Sequence, residues 1–303
     1  MTDNTSFQSD KLQRFIFENA AIRGEWLHLT ESWQAVLARR DYPARLQTVL
    51  GEMMGAVALL AATVKIKGRV VVQIKSEGPV KLAMVECTSD NTVRAFAQWD
   101  EDNAIDDNAK LTDLMAGGTM AITIEVEGAK QPYQGLVSLH EESIAATLET
   151  YFQQSEQLAT RIWLVADQHH IAGLFLQQLP SEQQNKADEQ EHWTRISHLA
   201  STITEQELLS LGAGTLLHRL FHEEKCRLFE PSAIAFACNC SRERVAETIN
   251  LLGQEDATQL LNEQGKIEVA CEFCNEHYYF DKIDVAQIFS ENSISITESD
   301  TIH

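Results

Sequence analysis

Two closely spaced pairs of cysteines are the residues of this sequence best suited to chemistry. The first pair is Cys238-Asn-Cys240, and the second, Cys271-Glu-Phe-Cys274, follows after 30 intervening residues. Four soft thiolates at this spacing are typical of a tetrahedral Zn²⁺ site, in which each Zn–S distance is about 2.3 Å. Four cysteines leave no coordination position for a reactive water, and they make the nearby His277 a surplus ligand. The spacing therefore predicts a closed four-cysteine zinc site rather than a hydrolytic metal centre.

Two roles of this site stay open on the residues alone. A permanent structural staple is the common role of four-cysteine zinc. A redox switch is the other, because a module of about 55 residues builds only a small core and would depend on about 10–16 kcal/mol of metal-derived folding free energy. Peroxide and hypochlorite attack thiolates, and oxidised sulfur no longer ligates zinc. Oxidation of either pair is therefore expected to release the metal and unfold the module.

The residues around the cysteines predict a small domain, 237–290, that resembles a zinc ribbon. Ser241 is suited to cap a helix, and strands are expected at 266–270 and 277–280, on either side of the second cysteine pair. Residues 291–303 are polar and poor in apolar side chains, so we expect a disordered tail there.

The other candidate reactive groups are placed outside the site. Cys87 ends an apolar strand and is expected to be a small buried hydrophobe, and Cys226 follows two glutamates that disfavour its thiolate. The His169-His170 pair has no ligand at a suitable spacing, and we interpret it as non-functional. The sequence contains no phosphate-binding, dinucleotide, nucleophile-elbow or zinc-protease motif, so no catalytic residue is predicted and ATP-driven action has no visible phosphate cradle.

Composition narrows the possible partners and the compartment. The 303 residues carry 24 Lys+Arg against 45 Asp+Glu, a net charge of −21. Such acidity argues against nucleic acid as the main partner and against anionic membrane surfaces. No secretory signal is recognised, and the apolar stretch 53–64 is too short to cross a bilayer, so a cytoplasmic protein is expected. In the cytoplasm, six cysteines indicate metal or redox chemistry rather than a disulfide scaffold.

Residues 1–180 are predicted to form an N-terminal domain of α/β (α+β type) fold, in which helices cover a strand-rich sheet. A buried helix is expected to begin after Pro43 at Ala44, and a second helix to span 141–154. The strands expected from β-rich runs and alternation are 15–17, 22–29, 64–75, 80–87, 92–99, 119–127, 135–140 and, as the last strand, 160–166.

Residues 181–236 are predicted to form a helical linker between the two domains. A capping box at Thr204 and Glu207 should start one helix, and Gly212 should end it. Apolar residues recur at helical spacing through the linker, but isolated helices this short are marginal in water and need a partner surface. If that surface is lost, the linker exposes apolar side chains that can bind other apolar surfaces; they are Trp193, Ile196, Leu208, Leu216 and Phe221.

Four blocks of the sequence resemble the redox-regulated heat-shock chaperones of about thirty-three kilodaltons, the 33 kDa chaperonin family. They are FENAAIRGEWLHL (17–29), LGEMMGAVALLAATVKIKGRVVVQIKSEGPVKLAMVEC (50–87), CNCSRERV (238–245) and CEFCNEHYYFD (271–281). The similarity extends over essentially the whole chain. The combination of Cys-x-Cys with a downstream Cys-x-x-Cys is its most specific part.

The resemblance implies an ATP-independent holdase that keeps unfolding proteins from aggregating during oxidative stress. It implies an inactive reduced form with one zinc ion on Cys238, Cys240, Cys271 and Cys274. Oxidation would then form the disulfides Cys238–Cys240 and Cys271–Cys274, release zinc and unfold the linker. We expect the five apolar linker side chains named above to bind unfolding client proteins in that state. The active form would dimerise and pass clients to ATP-dependent foldases. Cys226 lies outside the four-cysteine motif and leaves an alternative disulfide open.

Two further functions are alternatives to the chaperone. A constitutive zinc-ribbon adaptor would bind a nucleic acid or protein partner, but few basic residues other than Arg242 and Arg244 lie near the cysteines. A thiol–disulfide oxidoreductase would use Cys271 and Cys274, but it needs an exposed thiol of low pKa in a thioredoxin-like setting, which the sequence does not indicate.

Overall fold

The structure, a computed structural model, describes residues 10–180 and 186–294. It divides into two compact units, Met1–Ala237 and Cys238–His303. The first contains two β-sheets with helices, and the second contains helices, a small sheet and the four cysteines. The mixed α/β fold class predicted from the sequence is therefore confirmed.

The strands of the first unit form two mainly antiparallel sheets. The first sheet has the order β10-β1-β2-β9-β8, with β11 also pairing with β1, and the second has the order β12-β5-β4-β3-β6-β7. The pairing of β12 with β5 is parallel. The strands are β1 (Lys11–Phe17), β2 (Ile22–Leu29), β3 (Gly68–Lys75), β4 (Val80–Thr88), β5 (Thr92–Trp99), β6 (Thr119–Val126), β7 (Tyr133–Ser138), β8 (Thr160–Ala166), β9 (Ile171–Gln178), β10 (Cys226–Leu228), β11 (Ser232–Ala233) and β12 (Ala235–Phe236).

Helices cover these sheets and form the linker. The helices of the first unit are α1 (Glu31–Leu37), α2 (Ala44–Thr63), α3 (Leu111–Leu114), α4 (Ile144–Tyr151), α5 (Lys186–Ala200), α6 (Glu205–Ser210) and α7 (Ala213–Phe221). A π-helical turn, Phe152–Glu156, follows α4 directly.

Helix α2 is the core of the first unit, because it packs against strands of both sheets. Its glycines allow close approach: a Cβ at Gly51 would lie 2.5 Å from the Cβ of Ala166, and one at Gly55 would lie 2.9 Å from Ile171 Cγ2. Helix α2 is long and apolar enough to cross a bilayer by length and composition. However, 67% of its most apolar 18-residue segment is buried in the fold, as in the core helix of a soluble protein. Its predicted start after Pro43 is confirmed.

The linker helices cover the face of the first sheet that points away from α2. All five side chains predicted to bind clients are at most 8% exposed, and they pack in one cluster with apolar residues of β1, β2 and β9. The rings of Phe17 and Phe221 meet edge to face at 5.0 Å. We call this cluster the linker interface; its members include Trp193, Ile196, Leu208, Leu216 and Phe221 from the linker, and Phe15, Phe17, Trp26, Leu174 and Leu176 from the sheet.

The strand predictions hold for most of the first unit but fail at β9. The expectation that 160–166 is the last strand of the domain is wrong, because Ile171–Gln178 forms a strand between β2 and β8. Seven of its eight residues are buried, so the strand lacks the polar–apolar alternation that reveals a half-buried strand.

Three local expectations also need correction. Gly212 does not end α6; it is the residue before the first turn of α7, although the predicted capping box at Thr204 is present. The helix expected at 141–154 is shorter and gives way to the π-helical turn. Linker residues 226–236 hold the short strands β10 to β12 instead of helix, because backbone pairing with β1 and β5 stabilises them without a local sequence signal.

A carboxyl group of α2 faces the linker. Glu52 lines a cavity of about 220 Å³ together with Thr204, Glu205 and Leu208 of the linker. Burial raises the pKa of Glu52 to about 7, the charge of Glu205 acts in the same direction, and Arg45 opposes them. Because the folded-state pKa lies above the ordinary value of 4.5, ionisation of Glu52 opposes folding, and stability is lost as the pH rises from about 4.5 through 7.

Replacing Glu52 with glutamine should stabilise the chain at high pH. The amide removes the cost of an ionised buried group, so we expect Glu52→Gln to raise the free energy of unfolding by about 1–3 kcal/mol at pH 8 and by much less at pH 5. Urea unfolding of the reduced, metal-loaded chain measures both. Glu142→Gln, an exposed position, is the matched control. Equal pH profiles for the two variants would contradict the assignment.

Candidate metal centre

Four cysteine sulfur atoms converge in the second unit. The Sγ atoms of Cys238, Cys240, Cys271 and Cys274 all lie within 4.8 Å of one another. The Cys238–Cys271 pair is 3.7 Å apart and the Cys240–Cys274 pair 3.3 Å. A tetrahedral zinc site with Zn–S bonds of about 2.3 Å has sulfur–sulfur edges of about 3.8 Å. The four sulfur atoms are therefore spaced as ligands of one ion.

The second cysteine pair lies in the turn between β13 (Ile267–Ala270) and β14 (His277–Phe280), which pair antiparallel. The backbone N–H of Asn275 donates to the carbonyl of Cys271 at 2.8 Å. Asn275 has a φ of 58°, in the left-handed region that asparagine tolerates. This turn directs both thiols to the same side of the hairpin.

The first pair is fixed by the start of helix α8 (Arg242–Leu252). Ser241 accepts a hydrogen bond from the N–H of Arg244 and caps the helix, as predicted. The Arg244 guanidinium donates to the carbonyl of Asn239, between the two cysteines, at 2.7 Å. Arg242 donates to the carbonyl of Tyr279 on β14 at 2.7 Å and pairs with Asp284 at 2.8 Å, which joins the two halves of the site.

Two further helices complete the second unit, and both were missed from the sequence. They are α9 (Gln254–Gln264) and α10 (Lys282–Ile294). The core they share with α8 and the hairpin is small; its buried apolar members are Val245, Ile249, Ala257, Leu261, Ile267, Phe280 and Val285. Helix α10 enters the predicted disordered segment 291–303, of which residues 295–303 lie outside the described part of the chain.

The electrostatics of the cluster favour a cation. Burial raises the pKa of the Cys271 thiol and of the Cys274 thiol above the ordinary thiol value. Four thiolates this close repel one another strongly, and a divalent cation removes that repulsion while it displaces the protons. The hydroxyl of Tyr278 donates to Cys240 Sγ at 3.2 Å, an outer contact that orients a ligand and was not predicted. The donor set therefore suits a soft tetrahedral ion.

The groups placed outside the site lie elsewhere. His277 bonds Glu268 at 2.8 Å through Nδ1 rather than joining the cluster. Cys87 is buried in the main core, where burial raises its pKa to about 12. Cys226 belongs to β10, and burial raises its pKa to about 11. Both thiols are therefore poor nucleophiles in this fold.

Comparison with known proteins shows to which family the chain belongs. Residues 10–281 match the model of the Hsp33 protein family. The chain belongs to the Hsp33 family. Relatives named 33 kDa chaperonin include one from Nitrosococcus oceani, 50% identical over 93% of this chain and 95% of the relative. Another, from Pseudomonas savastanoi pv. phaseolicola, is 46% identical over 97% of this chain and 98% of the relative.

A solved structure shows the same fold. The crystal structure of the 33 kDa chaperonin from Thermotoga maritima superposes with a TM-score of 0.80, covers 94% of this chain and 99% of its own, and has 21% sequence identity. The agreement extends over both units of the present chain.

Family membership confirms the predicted class of function. As an Hsp33 chaperonin, the chain is a redox-regulated holdase that binds client proteins, and it is not an enzyme. Its four-cysteine cluster could hold a metal ion and is typical of Hsp33 zinc sites. The oxidoreductase and the constitutive adaptor, which were alternatives on sequence grounds, do not describe this family. Hsp33 proteins are soluble bacterial chaperones, which agrees with the burial of α2.

Removing one sulfur ligand should weaken the metal site and destabilise the second unit. We expect Cys274→Ser to lower metal affinity at least about a hundredfold and to abolish cooperative unfolding of the second unit, because that unit has a small core. Competition with a chromophoric chelator and thermal circular dichroism measure the two effects. Cys226→Ser is the control, since it removes a thiol outside the cluster. A Cys274→Ser chain that binds metal as tightly as this control would overturn the assignment.

Proposed function

We propose that this Hsp33 chain is switched by one zinc ion held on Cys238, Cys240, Cys271 and Cys274. The observation that carries the proposal is the placement of four sulfur atoms within 4.8 Å in a unit with few buried apolar residues. Bound zinc neutralises the thiolates and holds together the α8 start and the β13–β14 hairpin. In this reduced state residues 237–290 stay folded and the chaperone is inactive.

Oxidation removes the ligands. A peroxide or hypochlorite accepts two electrons from each cysteine pair, one S–S bond forms per pair, and zinc dissociates because disulfide sulfur is a poor ligand. We assign the disulfides to Cys238–Cys240 and Cys271–Cys274, the pairs that are close in sequence. The second unit then loses its metal-derived stability and unfolds.

Unfolding of residues 237–290 is coupled to the linker, 181–236, through the chain. Only Ala237 separates β12 from Cys238, and β10 to β12 follow directly on the linker helices. Loss of the folded module frees that end of the linker, and the short helices α5 to α7 detach from residues 1–180. The linker interface then exposes apolar side chains on both of its sides. These surfaces, including Trp193, Ile196 and Phe221, bind apolar segments of unfolding clients.

The remaining steps follow from this exposure. The uncovered apolar faces of two oxidised chains pair into a homodimer, which limits their contact with water. The net charge of −21 keeps the loaded complex soluble. Clients pass to ATP-dependent foldases when reducing conditions return. The compartment is the cytoplasm, where reducing conditions keep the four cysteines in the thiol form that can bind zinc.

Oxidation should convert the chain from an inactive to an active holdase without ATP. We expect the reduced, zinc-loaded chain to leave heat-induced aggregation of a client unchanged, and the peroxide-treated, zinc-free chain to suppress it at near-stoichiometric amounts. Light scattering of thermally denatured citrate synthase, with zinc release recorded in parallel, tests this. Equal scattering in both states, despite complete zinc release, would refute the switch.

A charge placed in the linker interface should activate the chain without oxidation. Leu216 is fully buried there, so Leu216→Asp buries an unpaired carboxylate and should detach the linker at a cost of several kcal/mol. We expect this variant to suppress aggregation while it still holds zinc. Leu251→Asp, at a leucine that is 86% exposed, is the matched control. An inactive, zinc-loaded Leu216→Asp chain with an exposed linker would contradict the proposed client surface.

A further inference from the structure

A second cavity lies far in sequence from the cysteines, within the first unit. Its volume is about 510 Å³, within the usual range for small-molecule sites, and residues of β2, β6, β7, β9, the end of α2 and the π-helical turn line it. Most of its wall is apolar; the residues concerned are Leu60, Val64, Ile122, Ile124, Phe152 and Leu158.

One wall of this cavity is built from unusual local structure. The π-helical turn Phe152–Glu156 is followed by Gln157 with a φ of 54°. π-helical turns are rare, and they occur often at functional sites. Glycine at position 135 lets the Tyr151 ring lie against β7, since a Cβ there would be 2.4 Å from Tyr151 Cε2. The chain therefore adopts costly conformations to shape this wall.

The polar groups of that wall form hydrogen bonds with one another. The hydroxyls of Tyr133 and Tyr151 donate to Glu156 Oε1 at 2.7 and 2.9 Å. The Glu156 carboxylate is thereby fixed at one side of the cavity. A multiply charged anion would be repelled by it, whereas a ligand with a single charge at the opposite side would not.

Arg23 provides a positive charge in the same cavity. Its guanidinium donates through Nη1 to the carbonyl of Thr63 at 3.0 Å, and through Nε and Nη2 to Gln177 Oε1 at 3.2 and 2.6 Å. These acceptors are neutral, and within residues 10–180 and 186–294 no carboxylate forms an ion pair with Arg23. Three of the five N–H groups of an arginine are used in this way, so two remain for a ligand.

The neighbouring charges do not cancel that of Arg23. Burial raises the pKa of Glu25, the next carboxyl on the same face of β2, to about 8, so it is mostly protonated at neutral pH. Lys65, an exposed residue that also lines the cavity, adds a second cation, so the lining carries two cations against the one carboxylate of Glu156. An apolar cavity with a net positive charge is complementary to an amphipathic anion.

We propose that this cavity binds a small amphipathic carboxylic acid, with its carboxylate on Arg23 and its hydrocarbon part against Ile122, Phe152 and Leu158. The ligand class is a single-headed carboxylate with an aliphatic chain, of which decanoate is a representative. This site depends neither on the metal nor on release of the linker, so it is separate from the redox switch.

Titration calorimetry with decanoate, below its micelle concentration, tests the site in the full-length reduced, zinc-loaded chain. We expect saturable binding of one decanoate per chain. Decanol, which has the same chain without the charge, should bind at least about tenfold more weakly, since it lacks the carboxylate that accepts charged hydrogen bonds from Arg23. Absence of saturable binding, or equal affinity for decanol, would overturn the proposal.

Variants distinguish ligand binding by Arg23 from a purely structural role, in which Arg23 would only hold the end of α2 through the carbonyl of Thr63. Arg23→Gln should weaken decanoate binding at least about tenfold and leave decanol binding unchanged, whereas Arg161→Gln, which removes an exposed arginine elsewhere, should leave both within about twofold. Leu158→Trp fills the cavity and should abolish binding of both ligands. Ile124→Trp serves the same purpose if Leu158→Trp does not fold, as judged by circular dichroism. Decanoate binding that survives filling of the cavity, or that Arg161→Gln and Arg23→Gln weaken equally, would refute the assignment.

Discussion

The repulsion among four thiolates is the constraint on which the second unit depends. Their sulfur atoms lie within 4.8 Å of one another, and in that space four negative charges are stable only around a cation. Hydrogen bonds from Arg242, Arg244 and Tyr278 orient the surrounding backbone and one sulfur, but they do not neutralise four charges. A unit with so small a core would therefore take much of its stability from a bound ion. In the proposed switch, chemistry at sulfur consequently acts directly on folding.

The first unit, in contrast, takes its stability from apolar packing. Helix α2 lies between two sheets in a large apolar core, so this part of the chain needs no metal. Its outer sheet face, however, is as apolar as a core, and in the part of the chain that the structure describes it is covered by the linker helices α5 to α7. A stable scaffold thus carries a cover that is held mainly by apolar packing, together with a hydrogen bond between His28 Nε2 and the carbonyl of Leu209. In the proposed switch, this difference in stability lets one local event expose a binding surface without unfolding the whole chain.

The cysteine cluster was predictable because each pair is a local chelate whose spacing is visible in the sequence. The strands with polar–apolar alternation were predictable for the same local reason, and β2, β5 and β8 begin and end where expected. Strand β9 was missed because its sequence, IAGLFLQQ, has no polar–apolar alternation. The short strands β10 to β12 exist only through pairing with distant strands, and such pairing leaves no local pattern.

The remaining features could not be predicted because they depend on contacts between residues far apart in the sequence. The periodicity of the linker indicated that its helices need a partner, but the identity of that partner as the β1–β2–β9 face depends on tertiary packing. Helix α9 is largely polar, and the apolar residues of α10 form only a weak amphipathic pattern. The place of both helices in the second unit follows from a few buried side chains. The contact of Tyr278 with Cys240 likewise depends on the β13–β14 register.

Hydrogen exchange of the linker amides, followed by mass spectrometry, tests the central claim most directly. The reduced, zinc-loaded chain should protect the amides of residues 186–221, and the oxidised, zinc-free chain should exchange them rapidly while β2 and β9 stay protected. Unchanged protection of 186–221 after complete zinc release and disulfide formation would contradict the coupling between the sulfur cluster and the linker interface.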